Sequence, residues 1–144
     1  MITMQKNTFL NLIKNLGTIA KKGKWEFSYD KGADSLYWAK KKISTGSRLK
    51  KFSRETSFYV NANGGIDGLM VQYFQNNFLT QNENLAKVGI VESINKSESG
   101  EPISLGSKKD ELEALFSASI KNDILTDALE ANYTLRDLEK ALRV

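Results

Sequence analysis

The stretch WEFSYDKGADSLYWAKKK, residues 25–42, decides the fold because its apolar residues recur at every second position. Trp25, Phe27 and Tyr29 alternate with polar residues, and residues 35–39 again place successive side chains on opposite faces. This period of two is typical of β-strands with one buried face. Between the two runs, DKGAD supplies a glycine and two aspartates, the residue types that tight turns prefer. The stretch therefore predicts a β-hairpin.

Two further strands follow the hairpin. Residues 55–62 and residues 66–74 show the same alternation of apolar side chains. Between them, Asn63-Gly64 is typical of a type I′ turn, in which both central residues have positive φ. Residues 25–78 therefore predict a four-stranded antiparallel β meander, in which each strand pairs with the next one along the chain.

The predicted meander carries the residues of a known family pattern. They are Tyr29-Asp30, Ala33-Asp34, Leu36-Tyr37, an Asn63–Ile66 turn and Gly68–Val71. Together they resemble the short bacterial domain of unknown function 2283, over residues 25–74. The resemblance implies a small antiparallel sheet with a helix against it, and it implies no reaction, because that family has no assigned catalytic residues. The chain departs from the family by a lysine-rich insertion, KKKISTGSRLKKFSR, which we call the basic segment (residues 40–54).

Helical patterns flank the predicted sheet. In residues 1–24 the apolar side chains are three and four positions apart, as on one face of an amphipathic helix. We expect this N-terminal helix to end at Gly23, with the glycine in the left-handed conformation. The apolar face consists of Phe9, Leu12, Ile13, Leu16, Ile19 and Ala20.

The second half of the chain divides into a connector and a tail. Residues 79–106 are polar and predict an irregular connector, in which Val88–Ile94 is a candidate for one more strand. Residues 107–144 return to a helical period and predict a tail of two or three short helices, the first opened by a capping box at Ser107 and Asp110. The expected fold is a single α+β domain.

Composition excludes several kinds of chemistry. The 144 residues contain no cysteine and no histidine. Disulfides, Cys/His zinc sites, thiol nucleophiles and imidazole bases are therefore absent. We expect no enzyme activity, no catalytic residues, no metal and no cofactor. The alternative is a carboxylate-dependent enzyme or divalent-metal site centred on Asp30 and Asp34, which we otherwise expect to shape their turn while Gly32 supplies positive φ.

Charge is distributed unevenly along the chain. Residues 1–60 carry 13 Lys and Arg against 4 Asp and Glu, whereas residues 61–144 carry 8 against 13. Such asymmetry favours contact with an acidic partner, with nucleic acid or with a second copy of the chain, so a homodimer is one option. No apolar run approaches the ~20 residues that a membrane-spanning helix needs. We therefore expect a cytoplasmic protein without a membrane partner.

The basic segment is the candidate binding site. It combines seven cations with Phe52 and a glycine-containing centre, and Trp38 lies just before it, as in a loop that follows a phosphate backbone or an acidic protein surface. Lysines at a sheet edge also prevent aggregation, so a solvated surface is the alternative. The candidate residues are Lys40, Lys41, Lys42, Arg48, Lys50, Lys51 and Arg54.

Two functional hypotheses follow. The first is a small regulatory or inhibitory protein, of the kind that phages and mobile elements encode, which occupies a partner protein. The second is a nucleic-acid-binding protein that uses the basic segment. For the second, residues 123–143 resemble a helix-turn-helix in the spacing of Ala128, Asn132 and Leu138. Asp137 and Glu139 weaken that reading, since acidic residues on a recognition helix oppose DNA.

Overall fold

The computed structural model describes the backbone of residues 8–130 and the side chains of residues 11–126. Within this part of the chain, five strands form one antiparallel sheet in the order β1-β2-β5-β4-β3. With helices packed on the sheet, the predicted α+β class is confirmed. The strands are β1 (Glu26–Asp30), β2 (Ser35–Ala39), β3 (Arg48–Lys51), β4 (Thr56–Val60) and β5 (Ile66–Val71).

The helices precede and follow the sheet in the sequence. A π-helical turn (Phe74–Phe78) follows β5 directly, and a 3₁₀ turn (Gly106–Lys108) precedes the last described helix. The helices are α1 (Thr8–Lys14), α2 (Leu16–Lys22), α3 (Leu79–Gln81), α4 (Glu83–Lys87), α5 (Ile90–Lys96) and α6 (Lys109–Glu130). None of the helices in residues 8–130 is long and apolar enough to cross a membrane.

The strand order differs from the predicted meander. β2 pairs with β5 rather than with the next strand along the chain, and a fifth strand, β3, forms inside the basic segment. Residues 40–47 carry the chain from β2 past the end of β5 to the far edge of the sheet, and the amide of Lys40 donates to the carbonyl of Asp67 (2.9 Å) on the way. β3 has the sequence RLKK, which lacks the alternation of apolar residues that predicts a strand.

The β4–β5 hairpin is confirmed, but its turn is not type I′. The amide of Gly64 donates to the carbonyl of Asn61 (3.0 Å), so Ala62 and Asn63 occupy the central positions. Only Gly64 among these residues has positive φ (+82°). The Asn61 side chain accepts hydrogen bonds from the amides of Asn63 and Gly65, and these bonds favour the wider turn.

The end of the N-terminal helical region also differs in detail. Gly23 has φ −81°, and the left-handed residue is Lys24, with φ +54°. A Cβ at Gly23 would lie 2.7 Å from Nε1 of Trp25. Glycine is therefore required here for close packing against the indole, and not for the left-handed conformation that we expected.

Residues 79–96 are helical rather than irregular, and the strand expected at Val88–Ile94 is wrong. Leu85, Ile90 and Ile94 are buried on one side of α4 and α5. Gly89, with φ +86°, separates α4 from α5. The helices on either side are too short to show a recognisable helical period in the sequence.

The tail begins differently from the prediction and continues without a break. Ser107 lies inside the 3₁₀ turn, and α6 runs for 22 residues instead of forming two short helices within the described part. The predicted second boundary at Asn132 and the capping box at Thr134 and Asp137 lie outside the described residues.

One face of the sheet, the core face, receives the helices. Phe27, Trp38, Leu69 and Phe58 lie side by side across β1, β2, β5 and β4. Side chains from the helices complete this core, among them Leu16, Ala20, Phe74, Phe78, Leu85, Leu112, Phe116, Ile120 and Ile124. The opposite face, which we call the outer face, carries none of these core side chains.

Candidate functional site

The structure divides the seven cations of the basic segment among different surroundings. Lys41 and Lys42 are exposed in the connector, whereas Lys40 forms an ion pair with Asp67. On β3, Lys51 shares the outer face with Leu49, and Arg48 and Lys50 alternate to the other side; Arg54 follows in the β3–β4 loop. The basic segment is therefore not a single loop, because three of its seven cations lie on a strand.

Asp67 organises the connector between β2 and β3. Its side chain is 0% exposed. Oδ1 lies 3.1 Å from Nζ of Lys40 and 3.2 Å from Nδ2 of Asn61. Oδ2 accepts hydrogen bonds from the amide of Ser44 (2.9 Å) and from the hydroxyl of Ser47 (2.7 Å). The Asp67 carboxylate thus joins the connector to the β4–β5 turn through hydrogen bonds and one ion pair.

The environment of Asp67 keeps it ionised. Burial by itself raises the pKa of a carboxyl group, but hydrogen bonds from Ser47, Ser44 and Asn61 outweigh burial and hold the pKa of Asp67 well below its usual range. The sequence analysis did not single out Asp67. The available signal was a lone acidic residue inside the apolar run of β5, since such a residue needs a partner when buried.

Asp30 and Asp34 serve different elements and do not form a pair. Oδ1 of Asp30 accepts from the amides of Gly32 (3.0 Å) and Ala33 (3.2 Å), as predicted for a turn aspartate. The positive φ belongs to Asp34 (+51°) and not to Gly32. Among the described residues, no group of three or more acidic side chains is arranged to hold a metal ion.

Asp34 accepts hydrogen bonds from the beginning of the π-helical turn that follows β5. Its carboxylate accepts from the amides of Gln75 (2.9 Å) and Asn76 (3.1 Å), and the hydroxyl of Tyr29 also donates to it. The carbonyl of Asp34 accepts from the amide of Phe74 (2.9 Å). The left-handed backbone of Asp34 therefore joins the β1–β2 turn to the helices, which is a structural role.

Replacing Tyr29 with phenylalanine should lower the free energy of unfolding by about 1 kcal/mol at pH 7, because it removes one buried hydrogen bond to a carboxylate. Burial, and then the hydrogen bond to Asp34, raise the pKa of Tyr29 to about 12. Since the folded pKa exceeds the unfolded value of about 10, this contribution is complete below pH 10 and is lost as pH rises towards 12.

Urea denaturation of both proteins at pH 7 and pH 11 measures this effect, with Tyr73→Phe as the control, because Tyr73 is 58% exposed. A difference between wild type and Tyr29→Phe that grows from pH 7 to pH 11 would contradict the assignment.

The outer face is a continuous surface of aromatic and aliphatic side chains. Tyr37, Met70, Ser57 and Lys51 form one row across four strands. The neighbouring row contains Ala39, Gly68, Tyr59 and Leu49. A Cβ at Gly68 would collide with Ala39, so glycine is required where β2 and β5 approach each other.

The polar groups of the outer face are hydrogen-bond donors at neutral pH. Burial raises the pKa of the Tyr37 and Tyr59 hydroxyls above their ordinary value, and nearby Asp30 raises that of Tyr37 further. Leu49 is 44% exposed, whereas Met70 is only 8% exposed, so Leu49 and the two half-buried tyrosines provide most of the accessible surface. The sequence alternation already placed Tyr37 and Tyr59 opposite to the core residues, but Leu49 could not be assigned before β3 was known.

A second polar site lies at the end of the sheet near the β3–β4 loop. This pocket of about 300 Å³ is lined by amide, acidic and cationic side chains. Nδ2 of Asn77 donates to Glu55 (2.6 Å), and Asp123 accepts from the hydroxyls of Ser53 (2.7 Å) and Thr56 (3.0 Å). Its carboxylates already serve to fasten the π-helical turn and α6 to the sheet, so we assign the pocket a structural role.

Fold and surface together define a small α+β protein whose antiparallel sheet, within residues 8–130, is covered by helices on one face only. Comparison with known proteins gives no match: no family model, no curated protein and no solved structure is similar to the chain. The resemblance of residues 25–74 to the domain of unknown function 2283 therefore stays a prediction. Of the helix-turn-helix-like segment, residues 123–130 belong to the continuous helix α6, and the turn expected at Asn132 lies outside the described residues.

Proposed function

We propose that this is a non-enzymatic, cytoplasmic binding protein of regulatory or inhibitory type, which occupies a partner protein through its outer face. The observation that carries the proposal is that Tyr37, Tyr59 and Leu49, in two neighbouring rows, stay accessible on the outer face, which no helix of the described chain covers. Tyrosine is enriched at protein interfaces, where it provides contact area together with a polar group.

The charges around the outer face favour an acidic partner surface. Lys51 ends the row on β3, and exposed Lys41, Lys42 and Arg48 lie in the connector and at the start of the same edge strand. Such a rim increases the association rate with a negatively charged surface, while the aromatic centre contributes most of the affinity.

Nucleic acid is the second candidate partner. Its support is the combination of Tyr37 and Tyr59 with exposed cations, because bases stack on aromatic rings and phosphates contact lysine. Against it, Lys40 is neutralised by Asp67, and Arg48 and Lys50 do not share the outer face. These cations would therefore contribute little to a phosphate path across the tyrosines.

Affinity capture from the native host with the full chain as bait tests the proposal. We expect wild-type protein to retain one stoichiometric protein, and Leu49→Ala and Tyr59→Ala to retain at least tenfold less, since interface anchors contribute more than about 1.4 kcal/mol. Tyr73→Ala is the matched control, because Tyr73 is 58% exposed but lies beyond β5 in a different part of the surface.

Three outcomes would overturn the proposal. Equal capture by Leu49→Ala, Tyr59→Ala and wild type would place the interface elsewhere. Reproducible failure to capture any stoichiometric protein would count against a protein partner. Capture of nucleic acid, with affinity that falls steeply between 50 and 200 mM salt and is lost in Lys51→Glu, would instead establish the second candidate.

A further inference from the structure

A cleft of about 590 Å³ lies beside β1, between α2, the segment 103–105 and the first turns of α6. Its volume is within the range of about 300–1,000 Å³ that is usual for small-molecule sites. Its walls combine apolar and charged side chains, and the outer face contributes little to it. The lining residues that matter here are Ala20, Trp25, Phe27, Ile103, Leu105 and Glu113.

Glu113 is the unusual member of this lining. The residue is only 4% exposed, yet no hydrogen bond or ion pair joins its carboxylate to another residue within the described part of the chain. The contact that it does make uses its backbone carbonyl, which accepts from the hydroxyl of Ser117 (2.8 Å). Its oxygens are not fully buried, so the carboxylate stays in contact with the solvent of the cleft that it lines. A cation in the cleft can pair with it there.

The walls around Glu113 are suited to an apolar molecule. Trp25, Phe27 and Ile103 are almost fully buried; Trp25 directly precedes β1, Phe27 lies in β1, and Ile103 lies in the segment that pairs with its edge. The indole N–H of Trp25 lacks a hydrogen-bond acceptor among the described residues, but it is fully buried beside Gly23. The Glu113 carboxylate is therefore the unpaired polar group that a molecule in the cleft can reach.

The rim of the cleft carries three cations and two anions, and Glu113 makes the whole lining neutral. Lys21, Lys24 and Lys109 face Glu26 and Asp110 around it, and Nζ of Lys21 lies 3.8 Å from Oδ1 of Asp110. These rim groups are largely exposed, so solvent screens them, whereas the charge of Glu113 is screened less. The buried carboxylate should therefore dominate the choice of ligand.

We propose that this cleft binds a small organic cation, a primary ammonium group on a compact apolar body. The ammonium group would donate to the Glu113 carboxylate, and the apolar body would lie against Phe27, Ile103 and Leu105. This inference is independent of the proposed function, because neither the residues nor the face involved belong to the protein interface.

Titration of the full chain with 2-phenylethylammonium at pH 7, followed by amide chemical shifts, tests the proposal. We expect saturable binding with a Kd below about 1 mM. Binding of the neutral analogue 2-phenylethanol should be at least tenfold weaker, because it cannot supply the positive charge. Shifts should concentrate at residues 20–27, 103–105 and 109–113.

Glu113→Gln should weaken the binding of 2-phenylethylammonium at least tenfold, while Glu111→Gln should change it less than twofold. Glu111 is the matched control, since it is an exposed glutamate on the same helix that does not line the cleft. Thermal unfolding of the free variants provides a second measurement: Glu113→Gln should be at least as stable as wild type, because it removes an unpaired buried charge.

The proposal is wrong if 2-phenylethylammonium and 2-phenylethanol bind equally, if Glu113→Gln binds as wild type does, or if no saturation is reached. Tighter binding of 3-phenylpropionate would show that the rim lysines, and not Glu113, select the ligand. If Glu113→Gln fails to fold, Leu105→Trp, which fills the mouth and keeps the carboxylate, must abolish binding for the proposal to stand.

Discussion

Replacing Phe116 with alanine is expected to lower the free energy of unfolding by about 4 kcal/mol, the largest effect of any single substitution considered for this chain. Phe116 is 1% exposed and lies where α6 meets the sheet. Its ring centroid is 5.4 Å from those of Phe27 and Trp38, and 6.0 Å from that of Phe78. Alanine would remove the edge-to-face contacts of Phe116 and leave a cavity. The neighbouring rings cannot fill it without disturbing the stacking of Phe27 on Trp38 and of Phe74 on Phe78.

Urea denaturation followed by circular dichroism measures the loss. Phe116→Leu should cost about 1 kcal/mol, since most of the volume is kept, and Lys121→Ala, on the exposed side of the same helix, should change stability by less than about 0.5 kcal/mol. A loss of under about 1 kcal/mol for Phe116→Ala would mean that α6 does not pack on the core face as described.

The position of Phe116 could be predicted, whereas the continuity of its helix could not. Leu112, Phe116, Ile120 and Ile124 are each four residues apart and are all buried, as the helical period indicated. The apolar residues up to Ile120 and those from Ile124 onward formed two separate patterns, so one helix looked like two. In the structure Asp123 faces inward and accepts the hydroxyls of Ser53 and Thr56, a contact between residues about 70 positions apart that no local pattern reveals.

The order of the strands in the sheet also depends on contacts that no local sequence pattern reveals. The hairpin of β1 and β2 follows from alternation within residues 25–42, and the pairing of β4 with β5 follows from a short turn. The pairing of β2 with β5 depends on where residues 40–47 cross, which is decided by contacts that are distant in sequence. β3 itself carries three cations in four residues, so its place as an edge strand results from backbone pairing with β4 and not from burial of its side chains.

Of the two candidate sites, one could be predicted in part from the sequence and the other could not. The outer-face tyrosines could be predicted, because alternation fixes the side of a sheet on which a residue lies. The cleft at Glu113 could not, since its walls come from α2, β1, residues 103–105 and α6, and only their packing brings them together. In the sequence Glu113 is one of several glutamates on a helix, and nothing distinguishes it from exposed Glu111.

Replacing Asp67 with asparagine is expected to cost about 3 kcal/mol at pH 7, because a buried ion pair and charge-assisted hydrogen bonds are lost together. An asparagine oxygen can still accept from Ser44 and Ser47. Its amide nitrogen would then face Nζ of Lys40 and Nδ2 of Asn61, so that donors oppose donors. The connector and the β4–β5 turn would lose their common attachment, although each hairpin keeps its own backbone hydrogen bonds.

The pH dependence separates this electrostatic role from simple packing. The folded pKa of Asp67 lies below the unfolded value of about 3.9, so its contribution is complete above about pH 5 and declines as pH falls through 4. The difference in stability between wild type and Asp67→Asn should therefore be smaller at pH 3 than at pH 7.

Urea denaturation at pH 7 and pH 3 measures both quantities, with Asp30→Asn as the control, since an asparagine can accept the same turn amides as Asp30 does. An equal deficit for Asp67→Asn at both values of pH would show that shape, and not charge, fixes the connector. Loss of hydrogen-exchange protection at β3 with β1 and β2 still protected is the expected local result, because Asp67 holds the one crossing that carries the chain to β3. Uniform loss across all five strands would instead mean that the crossing and the hairpins unfold as one unit, in which case Asp67 stabilises the whole sheet rather than its strand order.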